Sequence, residues 1–177
     1  MWKYLLIVLT LICTYHTHAQ TPTVNESSIN GIWYVTRWET TDRLLDFQDT
    51  LASFRYMVES YKQKTKLPGV LKTDSIRLRQ ELRKVLSAAE AIRFKLVFNK
   101  DKSFLWSGSS ENSAQFKGTY AMGPNNTSIV LTSFDGISKA YRTMSLKLHS
   151  LQTNQMTIEI PSEEPGFKQS KFTLKKL

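Results

Sequence analysis

Cysteine is almost missing from this chain: of 177 residues only Cys13 is one, and it lies close to the N-terminus. A lone thiol closes no disulfide within the chain and builds no cysteine metal site, which needs several convergent ligands. Histidine is nearly as scarce. His16 and His18 stand in the same N-terminal stretch, leaving His149 to represent imidazole chemistry in the rest. No G-x-S-x-G and no glycine-rich phosphate loop occurs, so a nucleophile elbow and a phosphate cradle have no sequence support. Long apolar runs are absent too, since Tyr4 to Ile12 falls well short of the ~20 residues that span a bilayer. Acidic residues are in deficit, 15 against 24 Lys and Arg, for a formal net charge of +9.

What is present begins with a leader. Lys3 supplies a positive start, Tyr4 to Ile12 a short apolar core, and Thr17-His18-Ala19 a small-x-small cleavage site. Residues 1–19 therefore read as a signal peptide and 20–177 as one mature domain, secreted or periplasmic. Lipidation at Cys13 is the weaker alternative, because the preceding Ile12 is not small. For an exported chain the positive charge suits anionic envelope surfaces or solubility better than nucleic acid.

Along the mature chain the hydrophobic period changes twice. Gly31 to Trp38 is β-branched and aromatic, the chemistry of a strand. Leu44, Phe47, Leu51, Phe54, Val58 and Tyr61 then recur at three and four steps, with Thr41 and Asp42 as N-cap candidates. Lys66-Leu67-Pro68-Gly69 breaks that stripe. A second stripe follows through Leu78, Leu82, Val85, Ala89 and Ile92. Residues 41–92 thus form an α-helical hairpin inserted between the first and second strands. From Arg93 onward the period is two, interrupted by turns at Asn99–Lys102, Gly123–Asn126 and Asp135-Gly136. The expected fold is mainly β: an antiparallel up-and-down barrel of about eight strands carrying that hairpin, since closure removes the open edges.

Several short motifs occur in a recognisable order. Asn30-Gly31-Ile32-Trp33 resembles the G-x-W signature opening the first strand of lipocalins and bacterial lipocalin-like domains. Leu96 to Phe104 is similar to the family's apolar-F-x-x-D-x-x-F hairpin, Gly118-Thr119-Tyr120 to its later G-x-[WY] strand, and Met144 through Met156 to its closing pair. The resemblance covers about 90 residues outside the hairpin. It implies a calycin-type barrel with Trp33 at the floor. Fatty-acid-binding proteins, a related family, also carry a helical lid at this connection, although a much shorter one.

If the strands alternate in and out of a barrel, parity assigns candidate ligand-contacting side chains: Trp33, Arg37, Phe98, Trp106, Tyr120, Arg142, Met144 and Met156. Arg37 and Arg142 share the inward parity, where a guanidinium would anchor a carboxylate or phosphate, or alternatively sit at a strand end, Arg37 pairing with Glu39. No catalytic residue, metal site or cofactor is assigned. His149 falls on the polar parity, Glu163-Glu164 stands in a proline-flanked loop, and the carboxylates Glu39, Asp42 and Asp46, clustered in sequence near the barrel mouth, leave acid/base work only as a minor alternative. Two readings remain. In one, the barrel holds a small hydrophobic or amphipathic ligand beneath a helical lid. In the other, it is a solid scaffold whose hairpin meets a protein or an anionic envelope surface, the basic run from Lys62 to Lys84 being the contact.

Overall fold

Residues 26–108, 115–161 and 169–177 are described by the structure, a computed structural model; the expected signal peptide with Cys13, residues 109–114, and Glu163 and Glu164 lie outside these residues. Side-chain alternation builds nine antiparallel strands: β1 (Gly31–Glu39), β2 (Leu44–Asp46), β3 (Phe94–Phe98), β4 (Ser103–Gly108), β5 (Gln115–Met122), β6 (Ser128–Asp135), β7 (Ala140–Leu151), β8 (Gln155–Ile160) and β9 (Ser170–Lys176). In β3, for example, Phe94, Leu96 and Phe98 are buried while Lys95 and Val97 are not. Neighbours pair in the order β2-β1-β3-β4-β5-β6-β7-β8-β9, and β1 also pairs with β9. The barrel is therefore closed by eight strands, with β2 as a short ninth on the rim.

The floor is built around Trp33. A single 3-10 turn, Glu26–Ile29, precedes β1 and brings Ile29 beneath the barrel. The Trp33 indole donates to the Ile29 carbonyl oxygen at 2.6 Å, and the Lys176 ammonium lies 5.2 Å from the ring centroid. Gly31 makes this entry feasible: its φ is +133°, and a Cβ there would run into the Lys176 side chain. Above the floor, Leu96, Phe98, Leu131, Leu146, Met156, Ile158 and Leu174 are almost fully enclosed. Each such side chain contributes about 1.5–3 kcal/mol on leaving water.

Two helices, α1 (Thr50–Thr65) and α2 (Lys72–Ile92), fill the long connection. The second stripe is placed as expected, with Leu78, Leu82 and Ala89 buried and Val85 packed beside them; Ile92 lies outside the residues whose side chains are described. The first helix starts later than its periodicity suggests. Leu44–Asp46 is extended and pairs with the upper half of β1, so the hairpin lies between β2 and β3 and not directly between the first two barrel strands. Thr41 and Asp42 form a tight turn, with the Thr40 amide donating to the Arg43 carbonyl, and the N-cap is Asp49, which accepts from the Ala52 amide at 3.0 Å. Asp46 steers the chain into the helix by accepting from the amides of Gln48 and Asp49. Leu51 consequently faces solvent, and the buried face of α1 runs through Ser53.

Candidate functional site

The upper end of β1 has two neighbours on one edge. β3 pairs only as far as Tyr34 and β2 only from Arg37, which leaves a gap at Val35 and Thr36. Two groups fill it. The Arg93 Nε donates to the Val35 carbonyl at 3.1 Å, and the Phe47 amide donates to the Thr36 carbonyl at 2.9 Å. The Arg93 guanidinium also lies 4.7 Å from the Phe47 ring centroid and pairs with Glu90 at 2.6 Å. The last turn of α2 is thereby pinned to the barrel mouth. On the opposite edge, the register with β9 shifts between Val35 and Arg37, so Thr36 is a bulge residue.

That bulge reverses the parity. Trp38 now faces inward, opposite Phe172, with its ring stacked at 6.0 Å and an interplanar angle of 14°. Arg37 takes the other side and pairs with Glu39 at 3.3 Å, which is the alternative placement and not the inward anchor. Arg142 is displaced for a different reason. The β6–β7 hairpin projects past the rim, and Arg142 is 69% exposed and paired with Asp135 at 2.8 Å. The six other candidates, Trp33, Phe98, Trp106, Tyr120, Met144 and Met156, all belong to the barrel core or pack against it. They are brought together as packing. Phe94 contacts Trp106 (4.5 Å between centroids) and Phe172 (5.0 Å), and Phe98 contacts Tyr120 (4.9 Å). The Tyr120 hydroxyl donates to Asn30 Oδ1 at 2.8 Å, and burial raises its pKa. Between the ring layer and the hairpin, the chamber bounded by Trp38, Phe47, Ala89 and Phe172 has about 60 Å³, too small for an organic ligand.

A larger space lies outside the barrel. A groove of about 450 Å³ runs between the two helices and the β1–β2 turn. Leu44 and Leu45 form its base, Met57, Leu78 and Val85 its walls, and the phenols of Tyr56 and Tyr61 add polar points. Buried Ser53 fixes α1 to β2, its Oγ accepting from the Asp46 amide at 2.7 Å. Tyr61 donates to Asp74 at 3.0 Å; that bond first, then burial, raises the phenol's pKa. Around the opening stand Arg43, Lys64 and Lys84, against the carboxylates Asp42 and Glu81. Neither Arg43 nor Lys84 has an ion-pair partner among the described residues. An apolar trough whose rim carries three cations against two carboxylates suits an amphipathic molecule with an anionic head.

Sequence reasoning named many of this groove's residues, Asp42, Leu44 and Tyr61 among them, but not their assembly. Leu78 and Val85 were on the helical stripe and Lys84 in the basic run, but no pattern marks Arg43, Met57 or a buried Ser53 as neighbours. Among the described residues no group of three or more His, Cys, Asp or Glu is placed to hold a metal ion, and His149 pairs with Glu159 at 2.7 Å.

Fold and groove together define an eight-stranded closed antiparallel barrel with a helical hairpin across its rim. No family model and no curated protein matches the chain. Among solved structures it is similar to an uncharacterized protein from Bacteroides eggerthii DSM 20697, at 12% identity and TM-score 0.41, over 84% of this chain and 98% of that one. It is also similar to a DUF4847 family protein from Bacteroides vulgatus ATCC 8482, at 14% identity and TM-score 0.39, over 82% and 92%.

Proposed function

We propose that this is an exported, non-catalytic binding protein of lipocalin-like build, which holds a small amphipathic ligand with an anionic head between the hairpin and the barrel rim. The observation carrying this reading is the groove itself. Its volume of about 450 Å³ falls within the ~300–1,000 Å³ of small-molecule sites, while the barrel core among the described residues is a packed cluster of aliphatic and aromatic side chains. The barrel then serves as a rigid base and the helices as the receptor. Support for the lipocalin-like reading comes from the Asn30–Trp33 motif at the floor and the closed meander. Support for export comes from Lys3, the apolar stretch to Ile12 and the Thr17-His18-Ala19 site.

Native mass spectrometry tests this on protein recovered from its own envelope, beside a denatured control. A stoichiometric adduct lost on denaturation is expected, and it should be absent from a Val85→Trp variant, whose indole fills the groove. Circular dichroism checks that the variant is folded. An adduct retained by folded Val85→Trp protein would move the ligand elsewhere. A clean mass in the parent, with nothing taken up from lipid extract, would end the binding reading.

A further inference from the structure

The end of α1, the turn and the first residue of α2 read K-Q-K-T-K-L-P-G-V-L-K from Lys62 to Lys72, with four lysines and no carboxylate. Leu67 and Leu71 stand in the middle of it, 45% and 67% exposed, and Ile76 on the next turn of helix is 50% exposed. Lys62 is paired with Glu59, whereas Lys64, Lys66 and Lys72 have no ion-pair partner among the described residues. The turn is thus an apolar tip surrounded by unneutralised ammonium groups, at the far end of helices some 24 Å or more in length.

We propose that this tip docks on a bilayer surface rich in anionic phospholipid, with Leu67 and Leu71 entering the acyl boundary and the lysines on the phosphates. Charge complementarity carries the choice of partner. Leucines flanked by long, flexible lysines are suited to an interface where the stems lie in the apolar layer and the heads in water. A protein interface is the poorer fit, because lysine is depleted at such contacts and the tip has no aromatic or arginine anchor. Single-stranded nucleic acid fits worse still, since the turn offers no ring on which a base can stack. The other exposed apolar tip, with Phe134, Ile137 and Tyr141 at the β6–β7 hairpin, has Asp135 within it and its Arg142 already paired. Lys64 stands at both the groove rim and the tip, so the test uses Lys66, Lys72, Leu67 and Leu71, none of which lines the groove.

Vesicle co-sedimentation tests the proposal on the protein as recovered from its host. Parent protein should bind vesicles of 30% phosphatidylglycerol in phosphatidylcholine, and phosphatidylcholine alone only weakly. Rising salt should weaken the binding. Lys66→Gln with Lys72→Gln should lower the partition coefficient roughly 30-fold, at about one surface-lysine increment each. Leu67→Ser with Leu71→Ser should lower it ~10-fold or more while leaving circular dichroism unchanged. An Ile137→Ser control should bind like the parent. The proposal is overturned if the parent ignores anionic vesicles, if both double variants bind as the parent does, or if Ile137→Ser is the variant that releases the protein.

Discussion

Replacing Arg93 by methionine removes the group that bridges the gap between β2 and β3 while preserving most of the side chain's volume. Three interactions are lost. The bond from Nε to the Val35 carbonyl is part-buried and made by a charged donor, a class worth about 1.5–3 kcal/mol. The guanidinium over Phe47 adds about 0.5–2 kcal/mol, depending on how dry the contact is. The ion pair with Glu90 is exposed on the carboxylate side and contributes at most about 1 kcal/mol after screening. These terms share one side chain and overlap, and methionine restores some packing on Phe47, so the expected loss is about 2–3 kcal/mol. For a domain of this size that lowers Tm by about 5–10 °C. Urea unfolding followed by tryptophan fluorescence measures it, with an unchanged m value as the sign that only stability has moved. Glu90→Gln should cost no more than ~1 kcal/mol, and Arg93→Lys should recover part of the loss through its charge. Arg93→Met within ~0.5 kcal/mol of the parent would refute the bridging role. Equal losses for Arg93→Met and Glu90→Gln would assign the stabilisation to the helical ion pair instead.

Gly118→Ala should destabilise the barrel by about 3 kcal/mol, because the added Cβ overlaps the Thr132 carbonyl oxygen and lies 2.9 Å from Ser133 Cα. Gly69→Ala, with nothing within 4 Å, should be neutral or slightly stabilising; comparable thermal shifts for the two would contradict this account. Asp135 ties the β6–β7 turn together, and its pKa is lowered first by the Ser138 hydroxyl and then by the Ile137 amide. A depressed carboxylate stabilises the fold above its unfolded pKa, about 3.9, and that contribution is lost as pH falls through the folded value. The Ile137 amide resonance followed downward from about pH 6 should therefore titrate with a midpoint under ~3.9, and a midpoint at or above that value would show the bonds to be absent.

Much of the fold was legible because most strands carry their own period and turns. Trp33, Phe98, Tyr120 and Met156 reach the core on parity alone. Parity failed at Arg37, since a single inserted residue at Thr36 exchanges the two faces and nothing local distinguishes a bulge from a continuing strand. Leu44 and Phe47 misled for another reason: they stand at helical spacing from Leu51 by coincidence, and the three-residue β2 is too short to show a period of its own. The groove was hidden because its base and walls come from three separate segments. The role of Arg93 was hidden because its partner lies 58 residues earlier.

Closure of the sheet through β1 and β9 also bears on how the chain folds. The Thr36 hydroxyl reaches the Thr173 carbonyl across 137 residues. Making that contact alone would carry a loop entropy of about 4 kcal/mol, against far less for each adjacent hairpin. Sequence separation therefore predicts that strands β3 to β9 pair with their neighbours before the β1–β9 seam closes. Until it forms, the outer edges of β1 and β9 are both open, and a second copy can satisfy them as well as the molecule's own opposite edge. Dimers with exchanged seams are the misfolding route that this topology leaves available, favoured when refolding is attempted at high concentration.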